Sequence, residues 1–175
     1  MSKARGSGVV GRAVRGAIAG AVGTAAMDLL WYSRYRRGGG KDPFLRWESA
    51  AAVEGWDDAS PPGRLGEKVE RIVTQRQPPE RWARTTTNVV HWATGIGWAA
   101  QYGVLAGRSS SHSVLRGLVL GPVVWLSGYV ILPLAGVYKP IWEYDARNLG
   151  EDLSAHLVFG VTTGVTYAAL TRRGS

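Results

Sequence analysis

The sequence predicts an all-α polytopic membrane protein with four transmembrane helices and a helical insertion between the first and the second. Four apolar stretches carry no Lys or Arg, and Asp28 is the one acidic residue within them; they cover residues 16–32, 89–107, 117–138 and 153–170. Stretches of about 17 to 22 residues rise about 26 to 33 Å as helices, close to the roughly 30 Å of a bilayer hydrocarbon core. A chain of 175 residues needs no second domain, so residues 1–175 are expected to form one membrane domain.

Charge and composition narrow the classes of function. The chain has a formal net charge of +8 and no cysteine, which excludes disulfides, thiolate metal sites and cysteine nucleophiles. Arg34, Arg36, Arg37 and Lys41 directly follow the first apolar stretch, so the headgroups of the lipid bilayer are the expected anionic partner, and no nucleic acid is expected. A mean hydropathy of -0.08 is low for a polytopic protein and keeps a soluble helical protein as the alternative.

The first span carries a stripe of small and polar residues. Gly16, Gly20, Thr24 and Asp28 follow one another every four residues and therefore share one helical face. Small residues let helix backbones approach closely in a membrane. An ionised carboxylate facing hydrocarbon is costly. The stripe is thus predicted to face the bundle, with Asp28 inside.

The polar connection over residues 33–88 is too long for a plain loop and is predicted to be helical. Asp42 as the N-cap and Pro43 in the first turn predict the start of a short helix that carries Phe44, Trp47 and Ala51 on one side. Residues 64–76 form a second, amphipathic pattern. Its apolar positions are Leu65, Val69, Ile72 and Val73.

The later spans repeat the small-residue spacing of the first. Pro122 and Pro133 lie eleven residues apart in the third span and predict local kinks. Glycine pairs four residues apart predict close helix packing, without distinguishing contacts within one chain from contacts between chains. The pairs outside the first span are Gly103 with Gly107, Gly117 with Gly121, and Gly160 with Gly164.

The fourth span is predicted to start at a capping box. Asn148 with Glu151 three residues later fits that motif, which would place Glu151 and Asp152 in the first helical turn. A polar stripe then continues into the apolar helix. Its members are Asp152, His156, Thr163 and Tyr167.

Successive spans cross the membrane in opposite directions, and this arrangement predicts a polar cluster. Asp28, His91 and His156 each lie three to five residues from the end of their spans on one side, with Glu143 and Asp152 just above them. Such side chains bind a metal, carry protons or a ligand, or hydrogen-bond to fix helix packing. The sequence leaves these alternatives open. It predicts no catalytic residue and no cofactor.

Two segments carry a family resemblance. GAIAGAVGTAAMD in the first span and SAHLVFGVTTGVTY in the last resemble the YagU-like group of small bacterial inner-membrane proteins. The resemblance implies a small multi-pass helical protein of the bacterial inner membrane, in a family without an assigned reaction. It transfers no catalytic residue to this chain.

The leading functional expectation is a non-enzymatic accessory or structural subunit that binds other membrane subunits or itself. The alternative is a small proton- or cation-coupled transporter or channel-like protein that uses Asp28, His91 and His156. The density of positive charge predicts that both termini are cytoplasmic. Basic residues without acidic neighbours lie on the same side of the membrane as the termini, and cytoplasmic segments are enriched in Lys and Arg. These residues are Lys3, Arg5, Arg12, Arg15, Arg108, Arg116, Arg172 and Arg173.

Overall fold

A computed structural model describes residues 8–107 and 112–172, which form six α-helices and three short 3-10 turns. The helices are α1 (Val9–Arg37), α2 (Phe44–Glu48), α3 (Pro61–Thr74), α4 (Ala83–Ala106), α5 (Ser113–Leu134) and α6 (Ala146–Arg172). The all-α prediction is confirmed for this part of the chain. Four of the basic residues used to predict orientation lie outside it: Lys3, Arg5, Arg108 and Arg173.

Three of the helices in the described ranges are long and apolar enough to cross a membrane: α1, α5 and α6. The helix that contains the predicted second span, α4, is not among them. Its first two turns, with the sequence ARTTTN, are polar, and Gln101 interrupts its apolar second half. These residues lower its hydropathy although its length of 24 residues is sufficient.

The four long helices pack in the spatial order α4, α1, α6, α5. Helix α1 packs along α4 on one side and α6 on the other, and α5 packs against α6. Helices α4 and α5 scarcely touch, although each packs extensively on its own partner. A gap therefore separates α4 from α5, and α1 and α6 lie behind it.

Glycines form both outer helix seams. A Cβ atom on Gly16 or Gly20 would collide with the backbone or side chain of Ala99 in α4. In the other seam, a Cβ on Gly117 would collide with the carbonyl oxygen of Gly160, and one on Gly160 with that of Gly117. Both seams join helices of one chain.

The remaining small residues have different surroundings. A Cβ atom on Gly121 would meet the backbone of His156, and one on Gly164 would meet the carbonyl oxygen of Ser113. The side chain of Thr24 lies against Gly95 of α4. By contrast, a Cβ atom on Gly107 would meet open space, and its φ of 69° ends α4; its carbonyl oxygen accepts the hydroxyl of Tyr167 in α6 at 2.9 Å.

The two faces of α1 differ as its sequence predicts. Gly16, Gly20, Thr24 and Asp28 are all buried. The opposite face exposes large apolar side chains, a pattern expected of a helix that faces lipid. They include Val14, Ile18, Val22 and Leu29.

The polar connection folds against the start of α4. Trp56 is buried, and its indole N–H donates to the carbonyl oxygen of Pro78 at 3.0 Å. Gly63 and Gly66 bring α3 close to Thr87 and Thr86 of α4. Helix α3 therefore lies on the first turns of α4.

Two helix ends differ from the prediction. Helix α5 ends at Leu134, not at 138, because Gly136 adopts a φ of 62° and its N–H bonds to the carbonyl oxygen of Pro133 at 2.8 Å. The capping box at Asn148 is wrong, since α6 already begins at Ala146. The side chain of Asp145 accepts the backbone N–H of Asn148 at 2.9 Å and takes the capping role.

Candidate functional site

A buried carboxylate and a histidine join α1 to α4. Nε2 of His91 lies 3.0 Å from both carboxylate oxygens of Asp28. Asp28 is only 4% exposed, because it ends the small-residue stripe at the point where α1 faces α4. A buried carboxylate needs such a donor, so the contact satisfies Asp28 and fixes the orientation of the imidazole.

A third side chain, Glu48 of α2, lies beside this pair. The indole N–H of Trp92 donates to Oε1 of Glu48 at 3.2 Å. Burial raises the pKa of Glu48, and the negative charge of Asp28 raises it further. The sequence analysis missed Glu48, because the position of α2 follows from how the connection folds and the sequence pattern does not encode it.

A second carboxylate and histidine pair lies within α6. Nδ1 of His156 is 2.9 Å from the backbone carbonyl oxygen of Asp152 and 3.3 Å from its side-chain Oδ1. These two residues are four positions apart on one helix, so their contact needs no tertiary structure. In the described part of the chain, no hydrogen bond or ion pair links them to Asp28 or His91.

Both pairs nevertheless line one cavity of about 770 Å³, which we call the chamber. Asp28, His91, Asp152, His156 and Glu48 all contribute to its wall. The chamber lies between α4 and α5, the two helices that scarcely touch. Glu143 is exposed in the 3-10 turn Ile141–Glu143 and is not part of the chamber wall.

Arg34 crosses from α1 to α6 beside the chamber. Its guanidinium donates to the carbonyl oxygen of Glu151 at 2.7 Å and to Oγ of Ser154 at 2.6 Å. It also lies over the ring of Trp31, 4.8 Å from the ring centroid. Arg34 therefore ties two helices together, whereas the sequence had grouped it with the basic residues facing lipid headgroups.

Aromatic side chains cover much of the chamber wall. They come from α1, α2, α4, α5 and α6 and from the segment after α5, so the wall is assembled by tertiary packing and is not a single helical face. The aromatic wall residues are Trp31, Tyr35, Trp47, Trp98, Trp125, Tyr129, Tyr138 and Phe159.

Metal binding finds no support in this geometry. Within residues 8–107 and 112–172, no group of three His, Asp or Glu side chains is placed to hold a metal ion. The two histidines pair with separate carboxylates and so do not converge on one point.

Comparison with family models, curated proteins and solved structures finds no match to this chain. The chamber and the residues that line it are therefore the basis for the functional proposal.

Proposed function

We propose that the chain is an integral membrane protein that crosses the bilayer four times, through α1, α4, α5 and α6. Helix α4 supports this proposal because it packs along α1 and leaves the large apolar side chains of Val89 and Leu105 exposed. Helices α2 and α3 then form an insertion at one membrane surface. The proposed topology has cytoplasmic termini, and the YagU-like resemblance supports a bacterial inner membrane as the proposed location.

Extraction and topology experiments test the spans. The protein should stay with membranes in alkaline carbonate, since spanning helices bury their apolar surface in lipid. Reporters fused after Ala106 and at Ser175 test the number of spans, since two spans precede the first fusion and four precede the second in this topology. Both fusions should therefore report the cytoplasmic side under the four-span topology, because each follows an even number of spans. A three-span topology without α4 would put the reporter after Ala106 on the outer side.

Two spans precede a fusion after Ala106 and four precede one at Ser175, so with a cytoplasmic N-terminus both reporters lie in the cytoplasm. If α4 stays outside the membrane, one span precedes the first fusion and three precede the second, and both reporters lie on the outer side. Release by carbonate would instead support the soluble alternative.

The function that the chamber supports best is the handling of a small molecule or cation together with a proton. One observation carries this proposal: a buried carboxylate and histidine, Asp28 and His91, line a cavity of about 770 Å³ inside the bundle. Polar groups that only fix helix packing are expected to lie in a filled interface. A cavity of this size beside them favours transport or ligand binding.

The Asp28–His91 pair has the chemistry for a proton-carrying step. An imidazole exchanges a proton near neutral pH, and a carboxylate at 3.0 Å holds that proton in place. A cation entering the chamber would compete with the protonated imidazole for the same carboxylate. Binding of the cation and release of the proton would then be coupled.

Cysteine labelling tests whether water reaches the chamber, and the cysteine-free chain needs no background correction. Ser127 lines the chamber, so Ser127→Cys should react with a membrane-impermeant maleimide. Ala168 is buried in packed helix, so Ala168→Cys is the matched control and should stay unlabelled. Protection of both cysteines in a folded protein would contradict the proposal.

A second candidate function is the accessory or structural subunit. The outer face of α5 favours it, because large apolar side chains follow one another along the helix and offer a surface to another membrane protein. They include Leu118, Leu126 and Val130. Native mass spectrometry from a mild detergent tests this function; a stable oligomer or a retained partner supports it, and a bare monomer opposes it.

A further inference from the structure

We propose that the chamber binds an organic cation with an apolar body, of the hydrophobic ammonium or phosphonium class. This inference rests on the proposed function, since it names the class of ligand for the same chamber. Charge, volume and wall chemistry support it separately.

The charge of the chamber is opposite to that of the chain. The whole sequence has 21 Lys and Arg against 13 Asp and Glu. The chamber wall instead contains four carboxylates, from Asp28, Glu48, Asp58 and Asp152, and one guanidinium, from Arg34. Because that guanidinium already donates to α6, a cation fits the wall better than an anion.

The volume of the chamber is much larger than a bare inorganic ion would fill. A water molecule takes up about 30 Å³ in the liquid. The cavity of about 770 Å³ falls within the size of drug-sized ligand sites. A ligand that fills it has an organic body.

Aromatic rings and carboxylates together recognise organic cations. Trp47, Trp98 and Trp125 are among the rings in the wall, and the face of an indole attracts a cation through its quadrupole. Carboxylates such as Glu48 supply the full negative charge. The combination discriminates against anions of the same shape.

Two further wall residues carry buried polar atoms without a partner in the described part of the chain. They are Oγ1 of Thr87, a residue only 7% exposed, and Nε1 of Trp125. Burial without a hydrogen bond costs free energy. Polar atoms of a bound molecule would lower that cost.

An apolar cavity continues from the chamber along the same gap. It has a volume of about 440 Å³ and lies between α4 and α5, where Trp98 belongs to both walls. Leu105, Leu115 and Val119 supply apolar surface there. The gap therefore accommodates an apolar extension of the ligand.

A pair of ions with matched shape tests the inference. Tetraphenylphosphonium and tetraphenylborate have the same apolar body and opposite charges. Purified protein in dodecyl maltoside would be titrated with each, and empty micelles would give the background from partitioning. We expect saturable binding of the cation, at least about tenfold tighter than binding of the anion.

Neutral variants identify the carboxylates that matter. Glu48→Gln and Asp152→Asn should each weaken binding of tetraphenylphosphonium about tenfold, since each removes one charge from the wall. Glu143→Gln removes the same charge from an exposed position outside the chamber and should leave binding unchanged. If Glu48→Gln fails to fold, Asp152→Asn still carries the test.

Competition by lipids distinguishes two sources of the cation. Displacement of the probe by phosphatidylethanolamine but not by phosphatidylglycerol would identify a lipid ammonium headgroup as the ligand. No displacement by either would identify a ligand from the aqueous phase. Both results keep the ligand class.

Three results would overturn the inference. Equal binding of the two ions, or equal weakening by Glu48→Gln and Glu143→Gln, would show that the wall does not select for charge. Absence of saturable binding, with Ser127→Cys still labelled, would show that the chamber admits water but takes another ligand class. Protection of Ser127→Cys would instead contradict the proposed function itself.

Discussion

The two halves of the bundle are built differently. One half, the glycine half, contains the N-terminal part of α1 and the C-terminal part of α6. Glycines bring the helices into backbone contact there, as at Gly16 with Ala99 and at Gly117 with Gly160. In the other half, the gap between α4 and α5 holds the chamber. The wall there includes large aromatic and charged side chains together with Gly95 and Gly128.

This difference indicates that the glycine half contributes mainly to stability and the chamber half mainly to function. Close backbone contact leaves no room for a ligand, so the glycine half holds the helices at fixed spacing. The chamber half keeps its helices apart by the size of its side chains and contains the buried carboxylates. Substitutions in the glycine half should therefore change stability most, and those in the chamber half should act mainly through charge.

The largest effect is expected where a side chain is forced between two backbones. Gly160→Val should lower the free energy of unfolding by about 3 kcal/mol, because its Cβ would collide with the backbone of Gly117 and Gly121. Gly97→Val is the matched control in α4, with no atom near its Cβ position. Denaturation in detergent, followed by circular dichroism, compares the two. Equal losses would contradict the role of the glycine seam.

The small-residue spacing allowed the glycine half to be anticipated from sequence. The spacing at Gly16, Gly20 and Thr24 marks one helical face regardless of what packs on it. The partner of that face is a tertiary property, so the pairing of α1 with both α4 and α6 could not be predicted. Gly107 shows the limit of the pattern, because the same spacing there includes a helix terminator.

An intermediate effect is expected at the pair that joins two helices. Asp28→Ala should destabilise the protein by about 2 kcal/mol, since it leaves the partly buried imidazole of His91 without its acceptor. A double-mutant cycle with His91→Ala should give a coupling of about 1 kcal/mol or more. Thermal and chemical unfolding in detergent measure both values.

The pair within α6 is the control for that cycle. Asp152 and His156 have side chains that are 21% and 20% exposed, and they are four residues apart on one helix. Their coupling should be below about 0.5 kcal/mol. A larger coupling in this pair than between Asp28 and His91 would reverse the comparison.

The polar residues of the chamber half were harder to derive. Depth in the membrane put Asp28, His91 and His156 at one level, but equal depth does not specify contact. Two separate pairs result because α4 and α6 lie on different sides of α1. Glu48 had no sequence signal, since the connection folds back by contacts such as Trp92 to Glu48 that are distant along the chain.

The smallest expected effect is a pH-dependent gain in stability from Glu48→Gln. Burial and the charge of Asp28 raise the pKa of Glu48 above its usual value in the folded protein. The folded protein therefore binds this proton more tightly than the unfolded chain does. The resulting stabilisation is fully present below the usual pKa of the unfolded state and is lost as the pH rises through the raised pKa of the folded state. Gln cannot ionise, and its side-chain oxygen can still accept the indole N–H of Trp92.

At neutral pH the Gln variant should thus be more stable than the parent, by less than about 1 kcal/mol, because Glu48 is only partly buried and solvent screens its charge. Below about pH 4, where the parent carboxyl is protonated in both states, the two proteins should melt at the same temperature. Glu143→Gln, at an exposed position, should show no such pH dependence. A Gln variant that is less stable than the parent at neutral pH would contradict this prediction, because it would mean that the fold stabilises the ionised form of Glu48. The chamber would then already contain the positive charge that a cationic ligand is proposed to supply.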